Sequence, residues 1–236
     1  MAYFNQMRWK SIGKFLRGFL PSQHVLIVIL IFYVGGVVFT LLDLRSAQFI
    51  FNGGFLLGNL EVQITPPSEI SWNYFLNQFV YYLGGAAWNI FRNNLEVSLE
   101  CIFTGIMIIP SILVGLFSFI GAVCTILSLK VGVIKAALIM GGCFHIYFEF
   151  LAGALVIEAF LKFYGSILRS VRNRSFTLFK QDMRSKFIPI LLRIIFLLAV
   201  GAVLEVFWST WWVYILTNHY VSWVDFYFGV NSALVH

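Results

Sequence analysis

The sequence predicts an all-α polytopic membrane protein with five transmembrane helices, an amphipathic N-terminal helix and aromatic segments on the outer surface. Three observations carry this prediction. Hydrophobic residues make up 60% of the 236-residue chain and charged ones 11%, where soluble domains carry roughly a quarter charged. Val25 to Leu42 is an 18-residue run without a charge, close to the roughly 20 residues that cross the hydrocarbon core. From about Leu95 to Leu168 the chain is almost continuously apolar for more than 70 residues, enough for three crossings. With 26 Phe against 10 acidic residues, few polar groups remain to cover a water-facing domain. One membrane domain over residues 1–236 is therefore expected, without a separate globular enzyme domain.

Residues 1–24 place Phe4, Met7, Ile12, Phe15 and Phe19 near helical spacing, while Lys10, Lys14 and Arg17 follow at i, i+4 and i+7. This is the pattern of an interfacial helix, with Arg8, Lys10, Lys14 and Arg17 on lipid headgroups. A signal peptide fits less well: the basic part is long and no small-x-small cleavage site follows the apolar run. Span 1 is 25–42. The long apolar stretch divides into spans at about 95–116, 117–138 and 140–163, with Pro110, the Gly115 to Gly121 region and the Lys130/Lys135 pair as the candidate breaks. Lys130 and Lys135 interrupt span 3, which is expected to be short, kinked or partly re-entrant. Span 5 is 188–208, with Arg193 one turn inside and able to snorkel. The stretch from Ser68 to Phe91 reads as an aromatic-rich helix on the outer surface. The tail, 209–236, is too aromatic for a free loop and too interrupted for a sixth span, and belongs in an aromatic belt.

Basic residues set the orientation. Four lie in 1–24 and eight in 162–193, so both segments are expected in the cytoplasm. The amino terminus is then inside the cell membrane, the carboxy terminus outside, and 43–94 and 209–236 are extracytoplasmic. The net charge of +6 follows from this topology and from anionic lipid contact, without nucleic acid. Cys101, Cys124 and Cys143 lie in apolar stretches and form no CxxC pair, which points to buried small residues rather than a disulfide framework or a zinc site.

Ionisable groups inside apolar spans are costly and mark contacts or pathways. His145 and Glu149 are four apart and share a helix face, a spacing open to metal ligation, a proton path or a structural polar contact. Metal sites usually need three or four protein ligands, and no second HxxxE or HExxH motif exists here. Glu158 and Lys162 form an i, i+4 pair expected to neutralise itself. Glu96 and Glu100 open span 2 one turn apart, Glu100 deep enough to need a partner. The expected arrangement has His145 and Glu149 tying span 4 to span 2 through Glu100 and Asn94. Ser111, Gly115, Ser118 and Ala122 form a small-residue stripe suited to close helix packing. No Walker, GxGxxG, CxxC or Ser/His/Asp pattern points to an enzyme, and no cofactor or metal is implied.

Several of these residues together resemble the stage II sporulation protein M family. An asparagine pair opens a span, here Asn93 and Asn94; "FHIYFE" keeps His145 and Glu149 at the family's spacing; "GAVLEVFW" supplies Ala202 and Glu205 to the last span. Phe144 and Ile146 stand where the family has proline and glycine, so the break ahead of the His–Glu helix is expected to be lost. The resemblance covers about 25–215. It implies a non-enzymatic membrane scaffold or assembly subunit of a multiprotein envelope complex, like the engulfment protein that assembles with two peptidoglycan-degrading partners. Expected partners are then the lipid bilayer, other membrane or envelope proteins, cell-wall hydrolases, and further copies of the chain. The alternative from the residues alone is a permease or ion-conducting subunit that uses Glu100, His145, Glu149 and Glu158 as an internal polar path.

Overall fold

The computed structural model describes residues 17–47, 72–104 and 112–217, and the elements formed by these residues are all helical. In chain order they are α1 (Gln23–Leu42), α2 (Trp72–Thr104), a π-helical segment (Leu113–Ser118) that runs into α3 (Phe119–Val131), and α4 (Val133–Gly142). Then come α5 (Phe144–Arg172), α6 (Phe176–Asp182), a second π-helical segment (Met183–Phe187), α7 (Ile188–Leu204), a third π-helical segment (Glu205–Ser209) and α8 (Thr210–Thr217). Among the described residues three helices are long and apolar enough to cross a membrane: Gln23–Leu42, Phe144–Arg172 and the continuous run Phe176–Val213. Most of the amphipathic segment, with Arg8, Lys10 and Lys14, lies outside the described residues, as do Ser111 and 218–236.

The expected boundaries of spans 2 and 3 require correction. The outer aromatic helix and the start of span 2 are one helix, α2, of 33 residues. Nothing between them breaks a helix except Gly84 and Gly85, which α2 accommodates. The third span ends at Gly132, where φ is +86°, a conformation that favours glycine. The 117–138 segment is therefore divided between α3, with 13 residues, and α4, with 10. The break before α5 is retained despite Phe144 and Ile146: it falls at Cys143, whose φ of −78° and ψ of 69° leave the helical region.

α5 is the axis of the bundle. One side carries Ala152, Leu155, Val156 and Ala159 into a core with Cys101 and Ile102 of α2 and Ile190, Ile194, Leu197 and Leu198 of α7. The other side carries Ala154 and Ile157 against Val25 and Ile29 of α1 and Leu113 and Phe117 of the first π-helical segment. The alanines on both sides allow neighbours to approach closely, the packing that membrane helices use where burial from water supplies no drive.

Contacts give the helix directions. α2 runs parallel to α5, since Asn94 meets Glu149 and, further along both helices, Tyr164 Oη donates to the Phe103 carbonyl at 2.9 Å. α7 runs antiparallel to α5, with Ser209 at His145 and Phe187 at Phe163. α1 and α3 cross where Gly36 and Gly121 have no side chains. A Cβ on Gly36 would run into the Ser118 carbonyl, and one on Gly121 into the Tyr33 carbonyl. Ser118 Oγ seals the crossing by donating to the Phe32 carbonyl at 3.0 Å.

The described end of the N-terminal segment, 17–22, meets the later basic segment at one end of the bundle. Glu158 Oε2 accepts the Ser22 backbone N–H at 2.9 Å, and Arg193 stacks over the Phe19 ring at 5.9 Å. Glu158 thus anchors the start of α1, and the expected Glu158–Lys162 ion pair is replaced by this contact. The Arg193 guanidinium lies against Gly18 and Phe19. Nearby, Asp182 binds both Arg169, at 3.2 Å, and Lys186, at 2.5 Å. The opposite end is aromatic: Trp208 and Trp212 donate their indole N–H groups to the carbonyls of Gly142 and Leu138, at 2.8 and 3.0 Å. The cysteines are free, and Cys101 and Cys143 are buried.

Candidate functional site

His145 and Glu149 lie one turn apart on α5, and the antiparallel α7 brings its own pair to the same face. His145 Nδ1 is 2.6 Å from Ser209 Oγ. Glu205 lies close enough to Glu149 for the two carboxyls to interact electrostatically. Glu205 and Ser209 are the first and last residues of the third π-helical segment, a local widening often found at functional sites. From the third helix, α2, Asn94 Nδ2 donates to Glu149 Oε1 at 2.9 Å. Gly201 of α7 packs against the acid: a Cβ there would sit in ordinary van der Waals contact, 3.4 Å from Glu149 Cγ and 3.6 Å from Phe148 Cβ.

A cavity of about 330 Å³ opens beside this junction, between α2, the first π-helical segment, α5 and α7. Asn94, Ser98 and Glu149 supply its polar wall, and Val97, Cys101, Ile112, Leu116, Val156 and Leu198 most of the rest. Asn94, Val97, Ser98 and Cys101 follow the i, i+3, i+4, i+7 spacing of a single helix face. Ser98 Oγ donates back to the Asn94 carbonyl at 2.6 Å and so stays on its own helix. Ser209 and His145 stand at the distance of a nucleophile and its base. Ser209 is only 3% exposed, however, which leaves a substrate carbonyl no approach to its oxygen.

The expected site residues separate clearly. Asn94, Glu149 and Glu205 come together, and His145 joins them through α5 and Ser209. Glu100 does not: it is exposed, and among the described residues its hydrogen bond is through the backbone carbonyl, which accepts from Thr104 Oγ1 at 2.6 Å. Asn93 is likewise exposed. Of the described members of the small-residue stripe, Ser118 reaches the α1 crossing, against Gly36 and the Phe32 carbonyl. Gly115 lines the cavity, and a Cβ there would meet nothing within 4 Å, so it is not a packing contact. The reason is the π-helical segment, whose wider turn displaces the i, i+4 stripe. Ala122 is half-buried and Arg17 exposed.

Sequence reasoning missed Ser209. The spacing from Glu205 to Ser209 equals that from His145 to Glu149, which is the register antiparallel helices need for two facing pairs. Among the described residues, no group of three His, Cys, Asp or Glu side chains is arranged to hold a metal ion. No protein-family model, curated protein or solved structure matches the chain.

Proposed function

We propose that this chain is a non-enzymatic membrane subunit that assembles other membrane or envelope proteins, as its resemblance to the stage II sporulation protein M family implies. Cell-wall hydrolases and further copies of the chain are the partners in view. The observation that carries the reading is convergence. The three stretches behind the resemblance are far apart in sequence, yet Asn94, Glu149 and Glu205 meet where α2, α5 and α7 join. A residue set retained for holding one bundle geometry would converge in this way.

In this reading the N-terminal end faces the cytoplasm, because the basic residues of 162–193 lie at the same end of the bundle as the start of α1. Three crossings satisfy the charge rule as well as five, since both numbers are odd. The alternating directions of α1, the last third of α2, α3, α5 and α7 favour five. Affinity purification in mild detergent is the test: a stoichiometric envelope protein or a homo-oligomer should be retained. A clean monomer in every detergent and in native membranes would overturn it.

The cavity beside Glu149 favours a second reading, a permease or ion-conducting subunit, because an ionisable group at a cavity within spans is a common mark of a pathway. Flux into proteoliposomes that is lost in Glu149→Gln would support it. Absence of flux for protons, metal ions and small solutes would remove it.

A further inference from the structure

We infer that the cavity beside Glu149 is a binding site for a small organic ammonium compound, a protonated amine on a compact apolar body. This goes beyond the assembly reading and does not depend on transport, since a ligand held without flux satisfies it.

The argument rests on which hydrogen-bonding capacities remain unused. Glu149 Oε1 is taken by Asn94, whereas Oε2 has no hydrogen-bond partner among the described residues. With its Nδ2 committed to Glu149, Asn94 keeps Oδ1 as a second acceptor. The Ser98 hydroxyl hydrogen is spent on the Asn94 carbonyl. The wall therefore offers acceptors and acidic character, and its spare donors among the described residues are the second N–H of the Asn94 amide and the weak S–H of Cys101. An anion would find little to bind. A divalent metal ion would lack its ligands, because no suitable group of three exists among the described residues. A hydrocarbon chain would leave Glu149 Oε2 facing apolar atoms, which a buried polar group resists.

An ammonium group satisfies the acceptors with its own N–H donors in charge-assisted bonds. The remaining wall, with Val97, Leu116, Val156 and Leu198, then takes the apolar body. At about 330 Å³ the cavity lies at the small end of ligand sites, which run from roughly 300 to 1,000 Å³. Val97 is 48% exposed and Gly115 is exposed, so the rim on that side gives a way in.

Cyclohexylammonium is the probe, with cyclohexanol as its neutral counterpart, titrated calorimetrically into the full chain in nanodiscs against empty nanodiscs. Saturable binding of the ammonium is expected, with cyclohexanol more than about tenfold weaker. Glu149→Gln keeps an acceptor for Asn94 and removes the charge, and should weaken binding by more than about tenfold. Gly115→Leu fills the cavity from a position with open space at its Cβ and should abolish binding while Glu149 is intact. Val97→Trp at the rim tests the same point if Gly115→Leu fails to fold. Binding that is unchanged in Glu149→Gln, cyclohexanol that competes as well as the ammonium, or no saturable heat above empty nanodiscs would each overturn the assignment.

Discussion

The bond between Asn94 and Glu149 should appear as coupling in a double-mutant cycle, and its size can be argued from the cavity. Replacing Glu149 by Ala removes the acceptor and leaves the Asn94 amide on the cavity wall. Interhelical polar contacts in membranes average about 0.6 kcal/mol and reach about 1.7. An amide sealed without a partner would cost about 1–3 kcal/mol more. A cavity of about 330 Å³ has room for water, which needs only about 10–15 Å³ of probe volume, so the larger penalty is relieved. The Asn94→Ala/Glu149→Ala cycle should therefore show coupling of about 0.6–1.7 kcal/mol. Glu149→Gln, which preserves the acceptor, should stay near wild type. The Glu100→Gln/Glu149→Gln cycle should be additive within about 0.5 kcal/mol, because Glu100 is exposed and shares no partner. Reversible unfolding in mixed micelles titrated with SDS, followed by circular dichroism, gives the four free energies of each cycle. Zero coupling between Asn94 and Glu149, or clear coupling between Glu100 and Glu149, would refute the reasoning.

Other positions give independent tests. Gly36→Val should destabilise by about 1–3 kcal/mol, because the Ser118 backbone cannot yield, whereas Gly35→Val, with open space at its Cβ, should be mild; thermal unfolding in detergent separates the two. Ser209→Ala removes the partner of His145 and should cost about 0.6 kcal/mol, reaching about 1.7 at most, in the same micelle titration. At the end of α1, the hydrogen bonds from Ser46 hold the Asp43 carboxyl below the usual carboxylate range, and Asp43 Oδ1 accepts the Ser46 N–H at 3.0 Å. A depressed native value stabilises this turn above the unfolded value of about 3.9, and that support is lost as pH falls through the native one; the Ser46 amide shift should follow this titration and lose it in Asp43→Asn.

Spans marked by a long apolar run with few charges were legible in the sequence. Val25 to Leu42 became α1 with its boundaries moved by two residues at one end, and Ile188 to Trp208 lies within the last long run. The middle of the chain was less legible because hydropathy does not show where backbone geometry changes. Gly132 reads as one more small residue between two lysines, yet its positive φ sets the end of α3. The π-helical segment at Leu113–Ser118 leaves no mark in composition, and it is what moves Gly115 from the packing stripe to the cavity wall.

The polar junction shows the same division between residue type and geometry. Glu149, Asn94 and Glu205 stood out as costly groups in apolar surroundings, but choosing among partners required helix direction. Six residues separate Asn94 from Glu100, and at 3.6 residues per turn that rotation is about 600°, or roughly 240° around the axis. Once Asn94 faces α5, Glu100 must face away from it, and Ser98 and Cys101 are the residues that continue the shared face. The wheel alone could have excluded Glu100 as a second contact beside Asn94. Between α5 and α7 the direction is reversed: a step from His145 to Glu149 matches a step back from Ser209 to Glu205. Two polar pairs spaced four apart on antiparallel helices thus meet in register, and α2 reaches the pair that contains the acids. The cavity lies on that side, so the acid that α2 engages is also the acid on the cavity wall.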